Sequence, residues 1–167
     1  MGDRMSPFFM DQFLTTLNGR FDAIDQRSRE LLARISDDDL YRRPRELNRE
    51  LVPFSVGEYL VRSAAMVEQT FGGITTRLWD DPFEWTLPEK LSTKVSVLEY
   101  LDEVDAVRLD GFKFISSDAA LTSKIPAPVD IRTIFEILLE TLGRAEHYQG
   151  RAFAMFQTVR DETLPKV

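Results

Sequence analysis

The sequence predicts an all-α protein, a four-helix bundle, from three observations. Apolar residues recur every three or four positions over four long stretches. No strand-period run of useful length interrupts them, and none of the four stretches can bury its apolar stripe alone. The 167 residues fit a single domain spanning 1–167, with an appreciable core. No internal repeat or low-complexity stretch divides it.

The first helix is expected to start at Ser6-Pro7, where a capping hydroxyl precedes a proline at the first helical position, and to end near Ser36. Phe13, Leu17, Phe21, Ile24, Leu31 and Ile35 mark its inner face, with Ser28 filling the missing turn. The charged segment Asp37 to Pro53 holds two prolines and reads as a connection with one short turn at Asp37–Tyr41. A second helix opens at Ser55, where Ser55-Val56-Gly57-Glu58 has the capping-box pattern. Its inner face is Val56, Tyr59, Leu60, Ser63, Val67, Phe71, Ile74 and Leu78, and Gly72-Gly73 either loosens it or permits close packing.

Asp80 to Leu91, with two prolines, is a loop, and Trp79 and Trp85 are expected to cover one end of the core. The third helix runs from about Lys94 to Ser117 on the stripe Val97, Leu101, Val104, Phe112 and Ile115. Pro126 and Pro128 forbid a continuous helix and set up the fourth, from near Asp130 to about Val159. The long connections leave room for a topology other than simple up-down neighbours.

Composition narrows the function. A hydrophobic fraction of 43% and a charged fraction of 29% are those of a soluble globular protein. A net charge of -7 argues against a general nucleic-acid binder, and Arg42, Arg43 and Arg45 around Pro44 read as a solvated loop. The absence of cysteine excludes disulfides, thiolate metal sites and cysteine nucleophiles. No basic segment leads into an apolar run at the N-terminus, and no stretch is long and apolar enough to span a membrane. The expectation is a cytoplasmic protein without membrane or nucleic-acid partners.

The fourth helix is where chemistry is most expected. Ile131, Ile134, Phe135, Leu138, Leu142, Ala145, Phe153 and Phe156 form its buried face. Glu140, Arg144, His147, Tyr148 and Arg151 run along a flank of that face, and His147 is the only histidine in the chain. Gly150 is expected to let another helix approach closely, at a cost of about 1 kcal/mol in helix propensity.

Two motifs carry a likeness to a known family. Phe54-Ser55-Val56-Gly57-Glu58-Tyr59-Leu60-Val61-Arg62 is similar to a "W-S-[IV]-x-E-[IL]-L-x-H" pattern, and Arg144-Ala145-Glu146-His147-Tyr148-Gln149-Gly150-Arg151 resembles "H-E-x-H-H-R-G-Q". Both patterns belong to the DinB/YfiT-like metalloenzyme superfamily of four-helix bundles, and the likeness covers nearly the whole chain. The resemblance implies a bundle in which one histidine from the second helix and an H-x-x-x-H pair from the fourth hold a divalent metal. Residues four apart lie one turn apart, so both imidazoles can reach one ion.

Carried over by position, those ligands fall on Arg62, Arg144 and Tyr148. Arginine has no lone pair to offer and neutral tyrosine is a poor ligand. His147 matches an extra histidine of the family pattern, outside the three metal positions. The expectation is therefore a divergent member lacking the histidine triad, with no divalent metal and no other cofactor. A rebuilt metal site would have to use His147 with Glu58 or Glu140.

Glu58 stands four residues before Arg62 and Glu140 four before Arg144, the favourable order for helical ion pairs. Three readings stay open. The four groups form two surface pairs, or one buried cross-helix network replacing the ion, or Arg62, Arg144 and Tyr148 line an open pocket for a carboxylate or phosphate. The leading function is a metal-free DinB-like protein of unassigned activity that binds a small anionic ligand or a partner at the bundle site. The alternative is a thiol transferase or hydrolase with a rearranged site around His147, Glu58 and Glu140. The resemblance also implies a homodimer, for which Phe8-Phe9-Met10 would supply apolar interface area.

Overall fold

Helix starts in this chain are set by short polar side chains. A computed structural model describes residues 11–43 and 54–160. Ser6-Pro7, Phe8-Phe9-Met10, Pro44, Arg45 and Pro53 lie outside the described residues. In chain order the elements are α1 (Gln12–Arg34), α2 (Asp37–Leu40), α3 (Val56–Thr76), α4 (Lys94–Ile115), the short strands β1 (Lys124–Pro126) and β2 (Ile131–Thr133), and α5 (Ile134–Val159). Ser36, Ser55, Thr93 and Thr133 each accept a backbone N–H from the first turn of the helix that follows. At Ser55 and Thr133 the box is closed by Glu58 and Glu136, and at Thr93 by Ser96.

Two caps come from far along the chain. The Asp118 carboxylate accepts the N–H groups of Phe13 and Leu14 at 3.1 and 2.7 Å, while the Asp11 side chain accepts the Asp118 N–H. Asp37 likewise accepts the Lys94 N–H at 2.7 Å and so caps α4 from α2.

The described chain is predominantly helical, as the periodicity requires. α3 packs against α4 and α5, and α1 packs against the same two, so the consecutive long helices α1 and α3 sit diagonally opposite. Ser63 Oγ donates to the Ala145 carbonyl at 2.8 Å and Thr70 pairs with Thr141 at 2.7 Å, which sets α3 antiparallel to α5. Where α1, α3 and α4 meet, the core centres on Phe21, Phe71 and Phe112, with ring centroids 5.0–6.1 Å apart. A Cβ at Gly111 would collide with the Phe71 ring, and one at Gly73 with the Trp79 indole.

The expected inner-face residues of the third helix are all buried, and so is Ser28 in α1. Several expectations need correction. Phe13 is 64% exposed, its ring meeting Phe135 edge-on at 6.5 Å, because it sits in the first turn of α1 beyond the reach of the core. Leu78 is exposed because α3 stops at Thr76, with Arg77 in the left-handed conformation at φ 64°. The fourth long helix starts at Ile134 and not near Asp130. Ile131 belongs instead to an antiparallel pairing of β1 with β2 and is exposed, since a three-residue hairpin arm has too little length to show a period.

Trp79 packs on Gly73 as a core cover, whereas Trp85 stays 39% exposed. Gly150 faces open space, with nothing within 4 Å of where a Cβ would stand, so it serves no close approach. Among the described residues no helix is long and apolar enough to cross a membrane.

Candidate functional site

Arg62 leaves α3 on the flank turned toward Tyr148 of α5. Its guanidinium lies 4.1 Å over the Phe54 ring, and Phe54 meets Tyr59 edge-on at 5.5 Å. A cation–π contact of this kind does not use up the N–H donors of the guanidinium. Among the described residues no carboxylate or carbonyl accepts from it.

Arg62 lines a cleft of about 230 Å³. Glu58, Val61, Arg62, Ala65 and Met66 of α3 form one wall, Tyr148 of α5 closes a side, and Asp81, Thr86, Leu87 and Pro88 face them. Periodicity explains the first wall, since these five residues share one face of a 3.6-residue helix. The facing wall is held by tertiary bonds. Trp79 Nε1 donates to the Pro126 carbonyl at 3.1 Å, Trp85 Nε1 donates to Glu68, and the Tyr41 hydroxyl donates to the Leu91 carbonyl at 2.5 Å. Glu68 also accepts the Tyr100 hydroxyl at 2.5 Å. Burial, reinforced by nearby carboxylates, pushes the Tyr41 and Tyr100 phenols well up, so both remain neutral donors.

Glu58 does not pair with Arg62. Its carboxylate accepts the Ser55 N–H and hydroxyl, each at 2.8 Å, and Arg43 Nη2 at 2.6 Å. Burial alone would raise this carboxyl, but the Ser55 backbone, Arg43 and the Ser55 hydroxyl together hold it below the ordinary value. The capping box aims the Glu58 side chain back along the helix, away from the turn that follows it, which is why the spacing rule fails here.

The second expected pair does form, weakly. Glu140 lies 3.9 Å from Arg144 with both groups about half exposed, and Glu140 also bonds Arg132. Such a contact contributes at most a few tenths of a kcal/mol. The four-group buried network is therefore absent. Arg62 and Tyr148 share one cleft, whereas Arg144, His147 and Glu140 border a separate, open groove along α5, with Tyr148 between the two.

His147 is exposed and meets Tyr148 edge-on at 5.9 Å. Its sequence neighbour Glu146 lies 3.7 Å from Arg27 of α1. Glu58 and His147 border different depressions and do not converge. Among the described residues, no three His, Asp or Glu side chains are placed to hold a metal ion.

Sequence reasoning passed over several polar residues that the fold buries. Arg108 of α4 is only 4% exposed and bonds Asp105 at 2.6 Å, Asn18, and more distantly Asp22. Gln149 accepts from Arg27 at 2.9 Å and donates to the Ile24 carbonyl and the Ser28 hydroxyl, tying α5 to α1. Position offered a signal, because Arg108 stands four residues after Val104 and four before Phe112, and Gln149 four after Ala145 and four before Phe153. A polar residue at a stripe position must bring its partners with it. Phe54, beneath Arg62, precedes its helix and had no periodic signal.

No family model matches the chain, and neither a curated protein nor a solved structure matches it.

Proposed function

We propose that this protein is a divergent, metal-free member of the DinB/YfiT-like superfamily. Its four long helices form the bundle, and the cleft between α3, α5 and the 80–91 connection binds a small anionic ligand. The observation that carries the reading is Arg62. Aligned by motif with a family metal ligand, it lines a cleft beside Tyr148, aligned with another, and among the described residues no carboxylate or carbonyl accepts from its guanidinium. A guanidinium fork matches a carboxylate or phosphate in charge and in geometry. Among the described residues no carboxylate or carbonyl orients the His147 ring as a general acid or base needs, which favours binding over catalysis.

Two measurements test this reading. Elemental analysis after loading with zinc and nickel should find less than about a tenth of an equivalent of bound metal, given a site with no three-ligand set. A calorimetric screen of small carboxylates and phosphates should find a binder that Arg62→Met abolishes. One equivalent of tightly held metal, or binding indifferent to Arg62, would overturn the proposal.

A further inference from the structure

The cleft walls say more about the ligand than its sign, and this step rests on the reading of the cleft as an anion site. Charge balance comes first. Glu58 is neutralised by Arg43, which it meets through both carboxylate oxygens. Arg62 is the one cation among the described residues lining the cleft. A ligand with one negative charge is matched by the Arg62 fork. A second negative charge would meet no further cation among the described lining residues.

The rest of the lining is apolar or nearly so. Val61 and Ala65 form a buried floor, Met66 is half-buried, and Leu87 and Pro88 stand opposite. Ala65 matters most, because its single methyl keeps space open where a longer side chain would fill it. Thr86 and the Tyr148 hydroxyl are the neutral polar groups of the lining. A space of about 230 Å³ lies below the usual range for drug-sized ligands and suits a small metabolite-like molecule.

We infer that the ligand is a monocarboxylate with a short apolar body, its carboxylate on the Arg62 fork and its body over Ala65 and Met66. Phe54 holds the guanidinium, 4.1 Å from its ring centroid, before the ligand arrives, so less freedom is lost on binding. Inorganic phosphate and dicarboxylates are disfavoured by charge, and acetate by the loss of its body. Amines are disfavoured by Arg62.

The test is isothermal titration of the whole protein with hexanoate, acetate, adipate, hexylamine and inorganic phosphate. Hexanoate should bind at least about tenfold more tightly than acetate, because buried methylenes add affinity. It should also exceed adipate and phosphate, and Arg62→Met should weaken it by about tenfold or more. Met66→Glu, at a half-buried position where a charged side chain still reaches water, should abolish hexanoate binding and admit hexylamine. Ala65→Leu should block hexanoate by filling the floor, and a circular dichroism spectrum identical to that of the parent confirms its fold.

Phosphate or adipate binding as tightly as hexanoate through Arg62 would overturn the monocarboxylate assignment and leave the anion cleft standing. Hexanoate binding unaffected by Arg62→Met and Met66→Glu, or no binding by any of the five probes, would overturn both.

Discussion

Two arginines on core-facing helical flanks show how one side chain type takes different roles on opposite sides of the molecule. Arg108, on the seam of α4 with α1, is almost fully buried and is met by Asp105, Asp22 and Asn18. A second set lies along the same seam, where Arg29 bonds Asp25 and Asp102, each at 2.7 Å. Arg62, on the flank between α3 and α5, is half-buried and packs on the Phe54 ring, and among the described residues no carboxylate or carbonyl accepts from it. A buried guanidinium with a complete set of acceptors is a structural part, because breaking the set strands charge in a poor solvent. One that keeps its donor edge toward a cleft has capacity left for a molecule from outside.

The largest expected effect follows from that contrast. Arg108→Ala should destabilise the protein by about 3 kcal/mol, since it removes the cation from a buried set, while Arg62→Ala should cost less than about 1 kcal/mol, the scale of a half-exposed cation–π contact. Urea unfolding with unchanged m-values reads both. Equal losses would erase the distinction between the two sides.

Added atoms sharpen the same comparison. Gly111→Ala drives a methyl into the Phe71 ring and should destabilise by about 2 kcal/mol. Gly150→Ala, on the open side of α5, meets nothing and should stabilise by up to about 1 kcal/mol through helix propensity. Thermal midpoints moving in opposite directions are the expected result, and a loss at Gly150 would mean that this face is covered in solution.

The smallest effect concerns the mouth of the cleft and is read by pH. Glu58 has a folded-state carboxyl lowered below its ordinary value of 4.5, so its contribution is present above that value and disappears as pH falls through the lowered one. Glu58→Gln should therefore cost about 1 kcal/mol at pH 7, the scale of a lost cap, and the gap to the parent should close in acid below about pH 4.5. A gap that persists unchanged at pH 2 would assign the effect to shape and not to charge.

Much of the fold was legible in the chain because helical periodicity is a local property. The stripes Val97-Leu101-Val104-Phe112-Ile115 and Leu17-Phe21-Ile24-Leu31-Ile35 are buried as their spacing requires, and Ser55 and Glu58 form the expected box. The candidate site was legible only as a set of residue types. Spacing predicted the pairs Glu58–Arg62 and Glu140–Arg144, yet Glu58 was already committed to its cap and to Arg43, a residue from another segment. The spacing rule describes an isolated helix and says nothing of competitors brought in by the fold.

By itself, then, the sequence determined a predominantly helical chain with four long amphipathic helices, the Ser55–Glu58 capping box and most of the buried faces, because each follows from contacts between near neighbours. Only the tertiary structure decided that Arg108 and Gln149 are satisfied inside the core, and that the 80–91 connection is pinned by Trp79, Trp85 and Tyr41 to face α3. It also decided that Glu58 pairs with Arg43 and not with Arg62. The bonds of Gln149, of Arg108 to Asn18 and of the 80–91 connection join residues 17 to 125 apart, and the free energy of a polar group is set by whichever partner reaches it in three dimensions.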